Sequence, residues 1–239
     1  VKRIEPGYQL VYKDNKIELE RFFKLEFTEK LKDTDKAAKE IAAAMEDSVK
    51  RNFDTDVPMG SLLSSGVDSS YIVSLAKPEK TFTVGYDDQK YNESTYAKDL
   101  ADKLGIENIT QIVSQDEYIK NFPKLMYHMD EPLADPSTIA LYSVTELASH
   151  HVKILTSGEG ADELFGGYNS YQEEVNQSWY MKIPFPIRRL ASAFAGLFPE
   201  VRGFNFIWRR GQKLENYNIG LGRVFRDEEA MKLVKCKNQ

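Results

Sequence analysis

The sequence predicts an α/β protein built on a doubly wound parallel sheet, with helices on both faces and a β-hairpin in front. Three observations carry this. From residue 59 onward, short apolar runs alternate with segments of helical period. Gly60-Ser61-Leu62-Leu63-Ser64-Ser65-Gly66-Val67-Asp68-Ser69-Ser70 runs an apolar strand end into a Ser/Gly turn and then into a helix. Val152-Lys153-Ile154-Leu155-Thr156-Ser157 reads as a buried strand that stops on Gly158-Glu159-Gly160. Strands alternating with helices in this way pair in parallel. Ligands of such sheets sit at the carboxyl ends of the strands, near a topological switch point. The loop after Leu63, the turn after Val84 and the turn after Ser157 then share one rim.

Residues 1–27 differ from the rest. Val1-Lys2-Arg3-Ile4-Glu5-Pro6-Gly7-Tyr8-Gln9-Leu10-Val11-Tyr12 alternates around Pro-Gly, and Asp14-Asn15 separates it from Ile17-Glu18-Leu19-Glu20-Arg21-Phe22-Phe23. This predicts a hairpin, which needs a partner to be stable. Residues 28–33 read as a linker. Ala38, Ile41, Met45, Val49 and Phe53 recur at helical steps, with Thr34 a candidate cap and core packing the simplest role for the stripe. The following elements are a strand at 59–63, a helix after the serine loop, a strand at 80–86 and a helix at 93–104 stopped by Gly105. A strand at 106–113 follows, then helices at 116–129, limited or kinked by Pro123, and at 137–150, and the strand at 152–157. Beyond residue 170 the signal weakens. Ile183-Pro184-Phe185-Pro186 reads as a rigid, non-helical break. Trp208-Arg209-Arg210 is a basic-aromatic mixture of a kind that can bind nucleic acid, but an acidic chain favours helix packing and a solvated face.

Composition narrows the function. The chain has 239 residues, 41% of them apolar, enough for one large domain or one domain with a piece of another. A net charge of −5 argues against broad binding to nucleic acid or an anionic membrane. No apolar run approaches the roughly 20 residues that span a bilayer, and no signal peptide is visible, so a soluble cytoplasmic protein is expected. The single cysteine, Cys236, excludes an intrachain disulfide and an all-cysteine metal site. His128, His150 and His151 are too scattered for a zinc site.

The serine loop has the chemistry of an anion seat. Unpaired N–H groups at a helix start and the positive end of the helix dipole attract phosphate. Gly66 permits close backbone approach, and Ser64, Ser65, Ser69 and Ser70 add hydroxyls. Asp68 repels phosphate unless a cation lies between them, which suggests Mg²⁺. The plain alternative is a turn with Asp68 or Ser69 as a cap. The loop is not a Walker A motif, because no Gly-Lys-Ser/Thr follows.

Ser157-Gly158-Glu159-Gly160-Ala161-Asp162-Glu163-Leu164-Phe165-Gly166-Gly167-Tyr168 is the second informative stretch. Acids at a helix start favour the dipole, which would account for Asp162 and Glu163. It does not account for Glu159 between two glycines, where the backbone must pass close to a ligand. In Met129-Asp130-Glu131-Pro132-Leu133-Ala134-Asp135-Pro136-Ser137 the acids could be ligands, but physics alone favours caps and turn residues.

In this order, the 64–70 loop, Asp130-Glu131-Pro132 with Asp135, and the stretch from Ser157 to Tyr168 resemble the synthetase domain of glutamine-dependent asparagine synthetases. The loop itself resembles the Ser-Gly-Gly-x-Asp-Ser pyrophosphate loop of ATP pyrophosphatases, with Ser65 in place of the first glycine. If that position needs a positive φ, serine there costs about 1 kcal/mol. Residues 1–23, with Pro6-Gly7-Tyr8, resemble the last strands of the family's glutaminase domain. Lys213-Leu214-Glu215-Asn216-Tyr217-Asn218-Ile219-Gly220 resembles a segment midway through its synthetase domain.

The resemblance implies a five-stranded parallel sheet of the adenine nucleotide alpha hydrolase-like fold. It also implies a division into a glutaminase remnant and linker at 1–27 and a synthetase domain at 34–239, truncated at its C-terminal end. ATP, Mg²⁺, aspartate and ammonia are the implied ligands, with ammonia coming from a glutaminase domain in the longer parent; a homodimer is compatible with it, and neither nucleic acid nor membrane is expected. The nucleotide would be held by Leu63, Ser64, Ser65, Gly66, Val67, Asp68, Ser69, Ser70, Val84, Ser157 and Gly158. Asp68 and Asp162 would hold the metal, and Glu159, Asp68 and Asp162 would form the catalytic set. The family's amino-terminal cysteine and the lysine that contacts its activated intermediate have no match here. Glutamine hydrolysis is therefore not expected of this chain, and asparagine formation is expected to be impaired or absent. The alternatives are an adenylating amide or β-lactam synthetase acting on another carboxylate, a non-catalytic ATP-binding fragment, and a nucleic-acid thiolation enzyme, against which the acidic charge and missing zinc cysteines count.

Overall fold

The structure is a computed structural model, and it describes residues 3–26, 32–88, 92–129, 135, 137–169, 171, 178–198, 201–212 and 231–233. The chain forms two compact units, residues 1–48 and 49–239.

In the first unit β1 (Tyr8–Lys13) and β2 (Lys16–Arg21) form an antiparallel hairpin in which Tyr8 faces Arg21 and Lys13 faces Lys16. Asp14 and Asn15 turn at φ 51° and 59°, the left-handed pair that a two-residue hairpin loop requires. Gly7, at φ +80°, could not be replaced, because a Cβ there would lie 2.2 Å from the Phe23 carbonyl oxygen. Helix α1 (Thr34–Phe53) begins where its period predicts, but its cap is Asp33, not Thr34. The Asp33 carboxylate accepts the N–H groups of Asp35 and Lys36 at 3.0 and 3.1 Å. The apolar stripe of α1 buries only Val49; Ala38 and Ile41 stay exposed.

The second unit is the expected doubly wound core. Its elements are β3 (Met59–Leu62), α2 (Val67–Ala76), β4 (Lys80–Tyr86), α3 (Ser94–Leu104), β5 (Glu107–Val113), α4 (Gln115–His128), α5 (Ser137–Ser149), β6 (Ile154–Thr156) and α6 (Ala161–Phe165). The strands lie in the order β5-β4-β3-β6, all parallel. This sheet has four strands among the described residues, where five were expected. The chain winds outward from β3 through β4 to β5, then returns through α4 and α5 to place β6 on the other side of β3. The switch point therefore falls between β3 and β6.

Strand alternation feeds two cores. Leu63 joins Val73 of α2, Ala97 and Ala101 of α3, and Ile106 on one face. Phe82 joins Val144 and Ala148 of α5 and Val152 on the other, with Leu62, Val84, Ile109 and Leu155 against them. On the face of β4 opposite Phe82 runs a polar ladder with its donors satisfied. The Asn108 amide donates to the Thr81 and Thr83 hydroxyls at 3.0 and 2.9 Å, and the Thr83 hydroxyl donates to the Leu63 carbonyl at 2.8 Å.

The helix punctuation is legible. Gly105 closes α3 at φ +71°. Ser114 and Glu117 form a reciprocal capping box at the start of α4, which runs through Pro123 without a break. Asp135 accepts the N–H and hydroxyl of Ser137 at 2.9 and 2.8 Å, and these bonds hold its carboxyl below the usual range. That is the structural role expected of it; Asp130 and Glu131 lie outside the described residues.

The C-terminal part carries α7 (Ser178–Met181), α8 (Phe185–Gly196) and α9 (Phe204–Arg210). Phe185 and Pro186 do not break a helix but start one, since proline suits a first helical turn. Arg210 is buried over the Phe206 ring, and Arg188 donates to the Arg210 carbonyl at 2.6 Å, so this basic-aromatic stretch serves packing. The segment at 213–220 lies outside the described residues. No helix among the described residues is long and apolar enough to cross a membrane.

Candidate active site

The site is built where β3 and β6 end side by side. Ser61 and Thr156 staple these strands through their hydroxyls, which donate to the carbonyls of Thr156 and Gly60 at 3.4 and 3.3 Å. Leu63 leaves β3 still bonded to the Phe82 carbonyl at 2.9 Å. The loop then closes on its own serines. Ser64 N–H donates to Ser69 Oγ at 3.2 Å, the two hydroxyls share a bond of 2.8 Å, and Gly66 N–H donates to Ser64 Oγ at 3.1 Å. Gly66 caps α2 with no side-chain cap bond, so the first N–H groups of α2 are directed outward without an internal acceptor. Ser65 has no positive φ, so serine in place of glycine carries no backbone strain. Its hydroxyl donates to the carboxylate of Glu93, in the connection before α3.

The second arm is the turn from Ser157 to Gly160. Gly160 takes φ +94° and starts α6, and Gly158 presses against the first turn of α2. A Cβ on Gly158 would lie 2.7 Å from Ser69 N and 3.0 Å from Asp68 C. The two turns singled out in sequence are thus in backbone contact.

They enclose a cavity of about 430 Å³, within the size range of small-molecule sites. Of the expected residues, Leu63, Ser64, Gly66, Asp68, Ser69, Val84, Ser157, Gly158, Glu159 and Asp162 line it. Ser65, Val67 and Ser70 do not. Ser65 is engaged by Glu93, Val67 is 83% exposed, and the Ser70 hydroxyl donates back to the Gly66 carbonyl at 2.7 Å. Val84 reaches the cavity from within β4, which continues to Tyr86, and not from a turn.

Residues not singled out as ligand contacts complete the wall. Phe82 forms part of it, and α5 contributes Ser137, Leu141 and Val144. Their spacing, one helical face starting at the cap beside the strand ends, is the signal that could have found them. Glu163, read as a helix-start acid, and Tyr168 also line it. The described lining therefore contains the four carboxylates of Asp68, Glu159, Asp162 and Glu163 and no Lys, Arg or His. Among the described residues, no group of three or more His, Cys, Asp or Glu side chains is assembled to hold a metal ion by itself.

Tyr168 packs edge-on to Tyr171 at 5.5 Å, and its hydroxyl donates to Glu163 Oε1 at 2.9 Å. That hydrogen bond, then partial desolvation and the charges of Glu163 and Asp162, push the phenol up to about 12. Ionisation would surrender the donated proton, so the bond is intact below the ordinary tyrosine pKa of about 10 and is lost as pH rises through the folded value. Carbon-13 NMR of labelled tyrosine should show Tyr168 titrating well above a free tyrosine reference peptide. Glu163→Gln should bring it back towards about 10. Titration of Tyr168 at the position of the reference peptide in the unsubstituted chain would break the assignment.

Comparison with known proteins bears on the family. The asparagine synthase family model matches residues 40–230. Asparagine synthetase [glutamine-hydrolyzing] 1 of Bacillus subtilis (strain 168) is 41% identical over 244 aligned residues, covering 100% of this chain and 39% of the relative. A putative asparagine synthetase [glutamine-hydrolyzing] of Mycobacterium tuberculosis (strain H37Rv) is 38% identical over 191 residues, 78% of this chain and 29% of that protein. The chain thus spans well under half the length of these relatives. Among solved structures, the NMN synthetase of Francisella tularensis aligns over 56% of this chain and 58% of its own at 19% identity, with a TM-score of 0.38. With the family's model covering the whole α/β core and both arms of the cavity, this chain belongs to the asparagine synthase family of ligases.

Proposed function

We propose that this chain carries the ATP-dependent half of asparagine synthesis. Aspartate's side-chain carboxylate attacks the α-phosphorus of ATP, which gives β-aspartyl-AMP and releases pyrophosphate. Ammonia, derived from glutamine in the longer parent, then attacks the acyl carbon. The acyl C–O bond breaks with its electron pair going to AMP, and a proton leaves the nitrogen.

The observation that carries this reading is the cavity's charge. Among the described residues, four carboxylates and no basic side chain line a space whose rim is a helix start with outward N–H groups. A triphosphate enters such a space only with a cation. Asp68 and Asp162 supply hard oxygen donors from opposite arms, which suits Mg²⁺, an ion that takes one or two carboxylates and completes its shell with phosphate oxygens and water. When bound, it would neutralise charge on the leaving pyrophosphate.

The chain's own groups do the rest. The N–H groups at the start of α2 are donors for the pyrophosphate oxygens and need no reorganisation as charge develops, because the mutual bond of the Ser64 and Ser69 hydroxyls holds the loop in shape. Leu63 and Val84 give apolar surface for the adenosine, and Ser157 and Gly158 give backbone groups beside it. Glu159, in the second arm and on the cavity wall, is the base that accepts the proton from attacking ammonia.

The test is calorimetric titration of the 239-residue chain with ATP in the presence of Mg²⁺. Asp68→Asn and Asp162→Asn should each weaken Mg·ATP binding about tenfold or more with unchanged circular dichroism. Folded variants that bind Mg·ATP as the unsubstituted chain does would make both residues helix-start acids and nothing more. With aspartate and ammonia supplied to a protein of the relatives' full length, phosphorus NMR should show AMP and pyrophosphate. ADP and inorganic phosphate would overturn the reaction assignment.

A further inference from the structure

Two glycines follow α6, and they are glycine for different reasons. Gly166 closes the helix in the left-handed region at φ +68°, ψ 35°, with its N–H bonded to the Asp162 carbonyl. That backbone conformation by itself selects glycine. Gly167 has no positive φ, and its N–H also reaches the Asp162 carbonyl, at 3.0 Å. The local backbone would accept an ordinary residue there.

What it would not accept is a side chain. A Cβ on Gly167 would lie 1.9 Å from Asp162 Oδ1 and 3.0 Å from Asp162 Cγ. The obstacle is the free end of a side chain and not backbone. An alanine would therefore be accommodated by rotating the carboxylate away, at little cost to the fold. The contrast with Gly158 is direct, since a Cβ there meets the main chain of Ser69 and Asp68.

We propose that Gly167 is a positioning residue for the metal site: its bare Cα is the surface on which the Asp162 carboxylate rests and which sets the direction of its oxygens. The proposal rests on the reading of Asp162 as a ligand to Mg²⁺. It predicts a lesion confined to the metal. Gly167→Ala leaves the helix end and the cavity wall in place and turns one carboxylate out of register.

The experiment titrates the chain with ATP at graded Mg²⁺ concentrations and with AMP in the absence of Mg²⁺, alongside thermal melting of the metal-free protein. Gly167→Ala should raise the Mg²⁺ concentration for half-maximal ATP binding about tenfold, the size expected when an orienting contact to a metal ligand is lost. AMP affinity should be unchanged, and the melting temperature should move by less than about 2 °C. Asp162→Asn should reproduce the Mg²⁺ shift. Gly166→Ala should instead lower the melting temperature, because its strain is in the backbone. A Mg²⁺ shift in Asp162→Asn with none in Gly167→Ala would overturn the positioning role and leave the metal reading standing. No Mg²⁺ shift in Asp162→Asn would remove the metal reading and the proposal together. A fall in melting temperature for Gly167→Ala equal to that for Gly166→Ala would make the contact structural and overturn the proposal.

Discussion

Phe82→Ala should remove about 3–5 kcal/mol of unfolding free energy, the cost of truncating a fully buried phenylalanine. Phe82 is 0% exposed in a central strand, with Val144, Ala148 and Val152 around it and the His151 ring 5.8 Å away. On its other side Gly60 leaves it room, for a Cβ there would fall 2.6 Å from the Phe82 ring. No neighbour in the sheet can move in to fill the space, because strand pairing on both sides of β4 holds the backbones apart. Against a typical total stability of about 5–15 kcal/mol, the loss is a large fraction. Since Phe82 packs behind Leu62, Val84 and Val144 of the cavity wall, nucleotide binding should weaken with it. Urea denaturation measures the effect. A shift under about 1 kcal/mol, at unchanged m-value, would mean that the core closes over the gap.

Gly158→Ala should have the largest effect on binding of any methyl-sized change. Its Cβ would meet Ser69 N at 2.7 Å and the Asp68 carbonyl carbon at 3.0 Å. Neither atom can rotate away as a side chain can. Either β6's turn or the start of α2 must move by several tenths of an ångström, at an overpacking cost of about 1–3 kcal/mol. Both arms of the cavity belong to that contact, so nucleotide affinity should fall about a hundredfold, because displaced donors forfeit several hydrogen bonds together. Calorimetric titration with Mg·ATP measures it. Affinity within about threefold of the unsubstituted chain, less than one hydrogen bond's worth, would show that the arms act independently.

The two substitutions separate what sequence and structure each decide. Element order, the left-handed stop at Gly105, the Asp14-Asn15 turn and the serine-loop helix start were legible because they rest on contacts a few residues long: apolar period, turn chemistry and cap geometry. The glycine-bracketed Glu159 was legible for the same reason. Local chemistry misled at Thr34, where Asp33 supplies the cap, and at Ile183-Pro184-Phe185-Pro186, where a proline pair that reads as a break opens a helix.

What no local pattern contained was the pairing of β3 with β6, between residues some 95 positions apart, which sets Gly60 opposite Leu155 and Ser61 opposite Thr156. That register brings the Ser157 turn against the α2 start. Helix α5 then packs across β4 and supplies Ser137, Leu141 and Val144 to the cavity. The same tertiary closure turns Ser65 towards Glu93. The sequence by itself determined which segments carry donors and acids, because side-chain chemistry and backbone freedom are properties of each short stretch. Only the tertiary structure decided which of them share a cavity, because burial of apolar surface on both faces of the sheet, and not any local preference, selects the strand order.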